Sequence, residues 1–261
     1  DHPSGRVGFC DSEEKIIMYH FFVEPHQIGA EEIRIEGADV NHIRNVLRMK
    51  PGEEILISSR EGGDYFCRVE ELEPEYVSAK ILEEWENKEL PARIHLFQGL
   101  PKGDKMELII QKAVELGAYR VVPVSMKRSV VKLDAKKADA KRKRWNAVSE
   151  SAAKQSKRSL IPEVAPLMTY KEAVKEAAGY DMVLLPYESA DGIRKTRELL
   201  ASVKPGTDIA VFIGPEGGFE DEEVELAREN GAEIVTLGKR ILRTETAGLC
   251  MLSALMLQLE V

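Results

Sequence analysis

Two glycine-bearing segments in the last third of the chain carry the residue types that could do chemistry. The first is Phe212-Ile-Gly-Pro-Glu-Gly-Gly-Phe219, in which the acid Glu216 stands between glycines. The second is Leu237-Gly-Lys-Arg-Ile-Leu-Arg-Thr-Glu-Thr-Ala247, in which Arg240 and Arg243 flank an apolar pair and Glu245 follows. Glycines allow a backbone to approach a ligand closely. Arginines can stabilise developing negative charge, and a carboxylate can accept a proton.

Each segment joins a predicted buried strand to a predicted helix, so the two loops could form one ligand cleft at the strand ends of an α/β sheet. The helix after the first loop opens with four acids, at positions 220–223. Acids suit a helix N-terminus but would repel a pyrophosphate. The sequence also lacks a Gly-Lys-Ser/Thr phosphate loop. We therefore expect a ligand that is neutral, zwitterionic or cationic.

Simpler interpretations of these residues stay open. The glycines would also suit plain strand-to-helix turns, and Glu216 an exposed loop acid. Leu237, Ile241 and Leu242 would also suit the core. Thr244 is placed to cap the last helix, but a cap does not explain the two arginines beside it.

The hydrophobic pattern of the second part of the chain alternates between strands and helices from Ala92 onward. This alternation predicts an α/β fold with a mostly parallel sheet covered on both faces. Strands are predicted at 93–98, 120–124, 181–186, 208–213 and 233–237, and helices at 105–116, 138–158, 192–202, 220–230 and 245–259.

The first part of the chain predicts a small β-rich domain over residues 18–88, and the alternating strands and helices predict a second domain over residues 89–261. Residues 1–17 show no periodicity, and we expect an added or upstream extension there, or a flexible arm. Within the β-rich domain, strands are predicted at 18–24, 31–35, 53–59, 63–70 and 75–82, with one short helix at 38–48.

Composition narrows the class of protein. A chain of 261 residues with 43% hydrophobic and 31% charged residues is typical of a globular protein. Three widely spaced cysteines and scattered histidines predict neither a metal site nor a disulfide framework. The longest apolar stretch, residues 247–257, is too short to span a bilayer. We expect a cytoplasmic protein without metal or membrane partner.

Charge is unevenly distributed along the chain, although its net value is −8. Residues 127–158 hold twelve Lys and Arg against three Asp and Glu, a local charge of +9. A polarised surface can steer a polyanion, although a solvated helix face is the simpler alternative. On the predicted helix here, Trp145 is expected in the core, while Lys137, Lys141 and Arg144 share a face that could follow phosphates.

The last predicted helix is apolar on nearly every face, from Leu249 to Leu257. Such a helix needs burial all round. This predicts either a homodimer interface or an enclosed position within the fold.

Three further segments extend the two glycine-bearing ones into a joint pattern: His42-Ile-Arg-Asn-Val-Leu-Arg48, Gly99-Leu-Pro-Lys-Gly-Asp-Lys105 and Arg128-Ser-Val-Val-Lys132. In this order, from about Met18 to Val261, the chain resembles the RsmE-type RNA methyltransferases of the SPOUT superfamily. The resemblance implies a SPOUT-type α/β domain with a C-terminal trefoil knot that binds S-adenosylmethionine. It also implies a small N-terminal PUA-like β-barrel that binds RNA. Composition would not predict a knot, because knots are essentially absent from proteins in general.

The resemblance implies methylation of N3 of a uridine in 16S ribosomal RNA, within the 30S subunit, by a homodimer. Alternatives are a SPOUT enzyme acting on a ribose 2′-hydroxyl and a non-catalytic RNA-binding assembly factor. Four residues are expected to be catalytic: Arg243, Arg240, Glu216 and Glu245. The expected cofactor residues are Leu185, Pro186, Ile213, Gly214, Pro215, Glu216, Gly217, Gly218, Leu237, Gly238, Ile241, Leu242, Arg243, Thr246 and Ala247. The expected RNA contacts are His42, Arg44, Arg48, Lys102, Lys105, Arg128, Lys132, Lys137, Lys141 and Arg144.

Overall fold

The computed structural model describes residues 18–60, 63–85, 87–188 and 192–260. The predicted extension at residues 1–17 lies outside this part of the chain. The chain divides into two compact units, the first reaching Ser59 and continuing over Asp64–Trp85, and the second comprising the rest. No helix in the described part of the chain has the length and apolar character needed to cross a membrane.

Five strands build the first unit: β1 (Tyr19–Val23), β2 (Glu32–Glu36), β3 (Glu54–Ser59), β4 (Asp64–Leu72) and β5 (Tyr76–Trp85). They form one sheet in the order β1-β3-β4-β5-β2, with β1 parallel to β3 and the other neighbours antiparallel. Alternate residues such as Ile33, Ile55 and Val77 are fully buried in a single core. Between residues 18 and 85, as far as they are described, no ladder joins β1 to β2. The predicted barrel is therefore not closed by hydrogen bonds between its first and last strands. The sheet instead packs around one core.

The short helix of the first unit is distorted. It begins as α1 (Ala38–Asn41) and continues as a π-helical turn, His42–Val46. Val40 and Ile43 are buried in the core of this unit. Arg48 ends the segment with a φ of 55°, in the left-handed region that is uncommon for residues other than glycine. Such π-turns occur frequently at functional sites.

The second unit is a parallel sheet with helices. Its strands are β6 (Arg93–Gly99), β7 (Arg120–Ser125), β8 (Glu163–Val164), β9 (Met168–Thr169), β10 (Met182–Pro186), β11 (Asp208–Ile213) and β12 (Glu233–Val235). Its helices are α2 (Lys105–Glu115), α3 (Ala135–Gln155), α4 (Tyr170–Ala177), α5 (Ile193–Ala201), α6 (Asp221–Glu229) and α7 (Thr244–Leu259). The strand order is β12-β10-β11-β6-β7-β8, with β9 also paired to β7. The rings of Phe97 and Phe212 stack at 4.6 Å in its core.

The strand and helix pattern of the second unit follows the sequence with a few differences. The short strands β8 and β9 and the helix α4 were not predicted. The signal for α4 is a local one, because Thr169 and Glu172 form a reciprocal capping box. Helix α3 starts at Ala135, three residues earlier than predicted, because the Asp134 carboxylate accepts a hydrogen bond from Lys137 N at 2.8 Å.

Candidate functional site

A cavity of about 510 Å³ opens in the second unit beyond the carboxyl ends of β10 and β11. Two loops supply most of its lining, and we name them the glycine loop (residues 214–219) and the arginine loop (residues 236–243). The volume lies in the range of small-molecule and cofactor sites. The lining residues are Lys105, Arg128, Pro186, Tyr187, Glu188, Ile213, Gly214, Pro215, Glu216, Gly217, Gly218, Phe219, Thr236, Leu237, Gly238, Arg240, Ile241, Leu242, Arg243, Thr244 and Ala247.

Two positions of this region require glycine because neighbouring residues pack too closely for a β-carbon. A β-carbon at Gly99 would lie 2.6 Å from Pro215 N, and one at Gly217 would lie 2.8 Å from the β-carbon of Arg128. Both distances are shorter than real contacts allow. In the arginine loop, Gly238 has a φ of 115°, which favours glycine. The glycine loop is therefore packed against its neighbours as well as facing the cavity.

A buried hydroxyl connects the two loops. Thr244 Oγ1 donates to the Gly214 carbonyl at 2.6 Å and accepts from Gln98 Nε2 at 2.8 Å. The prediction that Thr244 caps α7 is wrong, because Arg243 occupies the cap position and Thr244 is the first helical residue. The role of Gln98 was not predicted. Its signal is an amide side chain that directly follows the apolar residues Leu96 and Phe97 in strand β6.

One lysine joins two acids at the edge of the cavity. Lys105 Nζ lies 3.2 Å from Glu216 Oε1 and 3.4 Å from Glu245 Oε2. Glu216 also accepts a hydrogen bond from Lys102 N at 3.0 Å. Partial burial alone would raise the pKa of Glu216, but the Lys102 N–H and the Lys105 ammonium outweigh it and lower that pKa. Among the described residues, Glu245 Oε2 is buried and accepts no hydrogen bond, so its contact with Lys105 is an ion pair alone.

The acids at the start of α6 form hydrogen bonds or ion pairs with neighbouring residues. The Asp221 carboxylate accepts from Tyr187 Oη at 2.9 Å, Lys127 pairs with Glu222, and Glu223 Oε2 accepts from Glu220 N at 2.9 Å. These pairs offset part of the negative charge, and the repulsion of a phosphate by the four carboxylates stays a prediction. The capping box of Glu220 and Glu223 also uses two of the N–H groups at this helix start that a phosphate could contact.

The arginine loop presents unpaired cations. Arg240 and Arg243 line the cavity and are exposed. Neither has an ion-pair partner among residues 18–60, 63–85, 87–188 and 192–260. Between them, the side chain of Ile241 is 85% exposed. These cations are free to meet an anion that approaches the mouth of the cavity.

The cavity brings together nearly all of the expected cofactor and catalytic residues. Leu185 is fully buried in β10 and does not line it, and Thr246 is exposed on α7 outside it. Glu245 reaches the site through Lys105 instead of lining the cavity. The lining residues that belong to neither the expected cofactor set nor the expected catalytic set are Lys105, Arg128, Tyr187, Glu188, Phe219, Thr236 and Thr244.

The expected RNA contacts lie in several places. In the first unit, His42 and Arg48 are exposed and Arg44 is half-buried. On α3, Lys137 lies 3.3 Å from Asp134 and Arg144 lies 2.7 Å from Glu107.

Trp145 is 4% exposed, which agrees with the expected core position and leaves no ring face for a base. Lys141 Nζ lies 5.8 Å from the centre of that ring. Lys132 and Lys102 are exposed, whereas Lys105 and Arg128 are engaged with acids of the cavity region.

The fold and the cavity together define a parallel α/β protein with a cofactor-sized cleft between two glycine-bearing loops. No group of three or more metal-ligating side chains occurs in the described part of the chain. Comparison with known proteins specifies the class. A family model described as "RNA methyltransferase domain" matches residues 88–256, and one described as "RNA methyltransferase PUA domain" matches residues 35–82.

Full-length relatives give the same result. The chain is 39% identical to the ribosomal RNA small subunit methyltransferase E of Bacillus subtilis, over 93% of this chain and 98% of that protein. It is also similar to a crystal structure of the methyltransferase E of Neisseria gonorrhoeae bound to S-adenosyl methionine. That structure has a TM-score of 0.74 and 32% identity, covering 91% of this chain and 96% of the other. The chain belongs to the ribosomal RNA small subunit methyltransferase E family.

Proposed function

We propose that this protein transfers a methyl group from S-adenosylmethionine to N3 of a uridine in the 16S RNA of the small ribosomal subunit. The observation that carries the proposal is the cavity between the glycine and arginine loops, in a chain whose family is named for ribosomal RNA methylation. A ribosomal substrate also implies a cytoplasmic enzyme. The uridine N3 specificity rests on the resemblance of the loop motifs.

The residues of the cavity fit S-adenosylmethionine. The ligand carries no phosphate, which agrees with the four acids that open α6 and with the capping box formed by two of them. Apolar side chains of Ile213, Leu237 and Leu242 line the cavity and can enclose an adenine. Glu216 and Glu188 supply negative charge for the ammonium and sulfonium groups. When bound, the cofactor supplies a methyl group already activated by its positive sulfur.

The protein must orient uridine and remove the N3 proton. Arg240 and Arg243, which have no acid partner among the described residues, favour the uridine anion by placing positive charge at the cavity mouth. For N3 to act as the nucleophile, a carboxylate of the site would have to accept its proton. We propose that the acceptor is one of the two carboxylates that Lys105 joins at the edge of the cavity, Glu216, which lines it, or Glu245.

RNA binding is assigned to both units. In the first unit, residues 18–88 form the proposed PUA-like RNA-binding domain, with His42, Arg44 and Arg48 as its contacts. In the second unit, residues 89–261 form the proposed methyltransferase domain. Its proposed RNA contacts are Lys102, Lys132, Lys137, Lys141 and Arg144.

A C-terminal trefoil knot is part of the proposal. The supporting observation is the path of the chain after β12, which lies at the edge of the sheet next to β10. From there the arginine loop leads back across the sheet, and α7 packs against β11, β6 and α2. The hydrogen bond from Thr244 to Gly214 holds this returning segment against the glycine loop.

A homodimer is also proposed. Only one face of α7 is buried by the protein itself, with Met251, Leu252 and Leu255 fully enclosed. Leu257 is 73% exposed on the same helix, and Leu108 is 45% exposed on α2, which α7 contacts. A second copy would cover this apolar surface.

In vitro methylation with labelled S-adenosylmethionine tests the function. Naked 16S RNA and 30S subunits from cells lacking the activity serve as substrates, and mass analysis of the nucleosides identifies the product. We expect N3-methyluridine, and only in RNA from the small subunit. A 2′-O-methylated nucleoside would replace the proposal with the ribose-modifying alternative. Cofactor binding without any transfer to either substrate would favour the non-catalytic alternative.

A further inference from the structure

The guanidinium of Arg128 is directed at the glycine loop. Arg128 Nη1 donates to the Gly217 carbonyl at 3.0 Å. Its Nε and Nη2 donate to the two carboxylate oxygens of Glu220, at 2.9 and 3.2 Å. This fork uses the planar geometry that distinguishes arginine from lysine. Arg128 therefore joins the loop after β7 to both the glycine loop and the start of α6.

The backbone packing at the same point is tight. Gly217 accommodates Arg128 only because it lacks a β-carbon, since one would lie 2.8 Å from the Arg128 β-carbon and 3.3 Å from its carbonyl oxygen. Arg128 also lines the cavity. The missing side chain of Gly217 and the guanidinium of Arg128 therefore both contribute to the contact between these two residues.

The neighbouring residue differs in one useful respect. Lys127 forms an ion pair with Glu222, and their side chains are 57% and 81% exposed. Neither residue lines the cavity. The two consecutive cations of one loop therefore both pair with acids of the same segment, but only Arg128 reaches the wall of the cleft. Lys127 provides a matched control.

We propose that Arg128 is a positioning residue for the cofactor, which fixes the glycine loop in its binding shape through Gly217 and Glu220. The inference rests on the proposed function and refines it, because the sequence pattern alone assigns Arg128 to RNA. An exposed ion pair adds little to global stability. A loop that is already ordered, however, loses less conformational freedom when its ligand binds. The effect of Arg128 should therefore be found in cofactor affinity.

Calorimetric titration with S-adenosylmethionine tests this role. We expect Arg128→Ala to weaken binding roughly tenfold, Arg128→Lys to weaken it less, and Lys127→Ala to leave it unchanged. Glu220→Gln keeps an oxygen acceptor for the capping box but removes the charge, so it should resemble Arg128→Ala. The double variant Arg128→Ala with Glu220→Gln should be no weaker than Arg128→Ala alone, because the two residues act through one contact.

Thermal unfolding and RNA binding of the same variants separate the outcomes. If Arg128→Ala unfolds early, Arg128→Lys and Glu220→Gln still report on the contact. Unchanged cofactor affinity with weakened binding of 16S RNA would overturn the inference and return Arg128 to the RNA contacts. A parent protein that does not bind S-adenosylmethionine overturns the proposed function itself. If the parent and every variant bind S-adenosylmethionine with the same affinity, only the role of Arg128 is overturned.

Discussion

The hydroxyl of Thr244 donates a 2.6 Å hydrogen bond to the carbonyl of Gly214, thirty residues earlier in the chain. This contact joins the first turn of α7 to the glycine loop, and Gln98 completes it by donating to the same hydroxyl at 2.8 Å. The two loops of the proposed cofactor site are therefore connected through one side chain that is 5% exposed.

Removal of this hydroxyl should loosen the site. In Thr244→Val the shape is kept, but the Gly214 carbonyl loses its side-chain donor in a buried place. We expect a loss of about 1–3 kcal/mol in the free energy of unfolding, measured by urea denaturation, and weaker binding of S-adenosylmethionine. Thr244→Ser keeps the hydroxyl and should stay close to the parent in cofactor affinity. Equal affinities for the serine and valine variants would show that the hydrogen bond is unimportant for the site.

A side chain at position 217 should displace the glycine loop. Gly217→Val places carbon atoms where the β-carbon of Arg128 already lies, since the distance for a single β-carbon is 2.8 Å. We expect the loss of S-adenosylmethionine binding in calorimetry with little change in the thermal midpoint. Gly179→Ala is the matched control, because its β-carbon would be 3.6 Å from the nearest atom, the Glu176 carbonyl oxygen. Normal binding by Gly217→Val would reduce the glycine loop to a simple turn.

The exposed apolar part of α7 should hold two copies of the chain together. Light scattering is expected to give roughly twice the chain mass of 29.2 kDa. Leu257→Glu introduces a charge on this surface and should give the monomer. Leu82→Glu changes a side chain that is 38% exposed on β5 and should not. A parent protein that is monomeric at micromolar concentration would contradict the proposed dimer.

The basic face of α3 should contribute phosphate contacts. Changing Lys137, Lys141 and Arg144 together to glutamate should weaken RNA binding and leave cofactor affinity unchanged. The pairs that two of them make with Asp134 and Glu107 involve lysine and arginine side chains that are 72% and 67% exposed. Such exposed pairs are weak, so a phosphate can replace them. The log–log dependence of RNA binding on salt should become shallower by about one per lost contact.

A matched variant distinguishes a local contact from a general loss of positive charge. Arg194, Lys195 and Arg197 are exposed on α5 and lie outside the expected RNA set. Their replacement by glutamate changes the net charge by the same amount and should weaken RNA binding less. If both triple variants bind alike, the basic face of α3 is only a solvated surface.

Stability should fall in mildly acidic solution because of His95. Burial lowers the pKa of this histidine, although Asp208, 3.2 Å from its Nε2, opposes the shift. The folded state therefore binds the proton less readily than the unfolded state, whose histidine titrates near pH 6.5. The stabilisation is complete above that value and is lost as pH falls through the lower folded pKa.

Urea unfolding at pH 7.5 and 5.5 measures this effect. His95→Gln removes the titrating ring and should make the decrease in stability between these two pH values smaller. A separate decrease is expected in more strongly acidic solution, because the pKa of Asp208 is lowered by Arg93 and His95, which outweigh its burial. An unchanged pH dependence in His95→Gln would place the acid sensitivity elsewhere.

Much of the architecture is local information and can be read from the sequence. The parallel strands β6, β7, β10 and β11 follow from apolar runs between helical patterns. The cavity follows from two glycine-bearing loops, each placed after a buried strand. Hydrophobic periodicity and turn residues involve positions close together in the chain, so they can be recognised in the sequence alone. The short strands β8 and β9 are too brief to produce such a pattern, and they depend on pairing with β7.

The partners of the charged and hydroxyl side chains were decided only by the tertiary structure. Lys105 and Arg128 belong to motifs that the sequence assigned to RNA, yet they are joined to Glu216 and Glu220, about a hundred positions later. Thr244 has a residue type suited to a helix cap, but its hydroxyl bonds to Gly214. Ion pairs and hydrogen bonds between distant segments leave no periodic trace in a sequence. The sequence determined which residues could do chemistry, and the return of the chain across the sheet decided which of them meet.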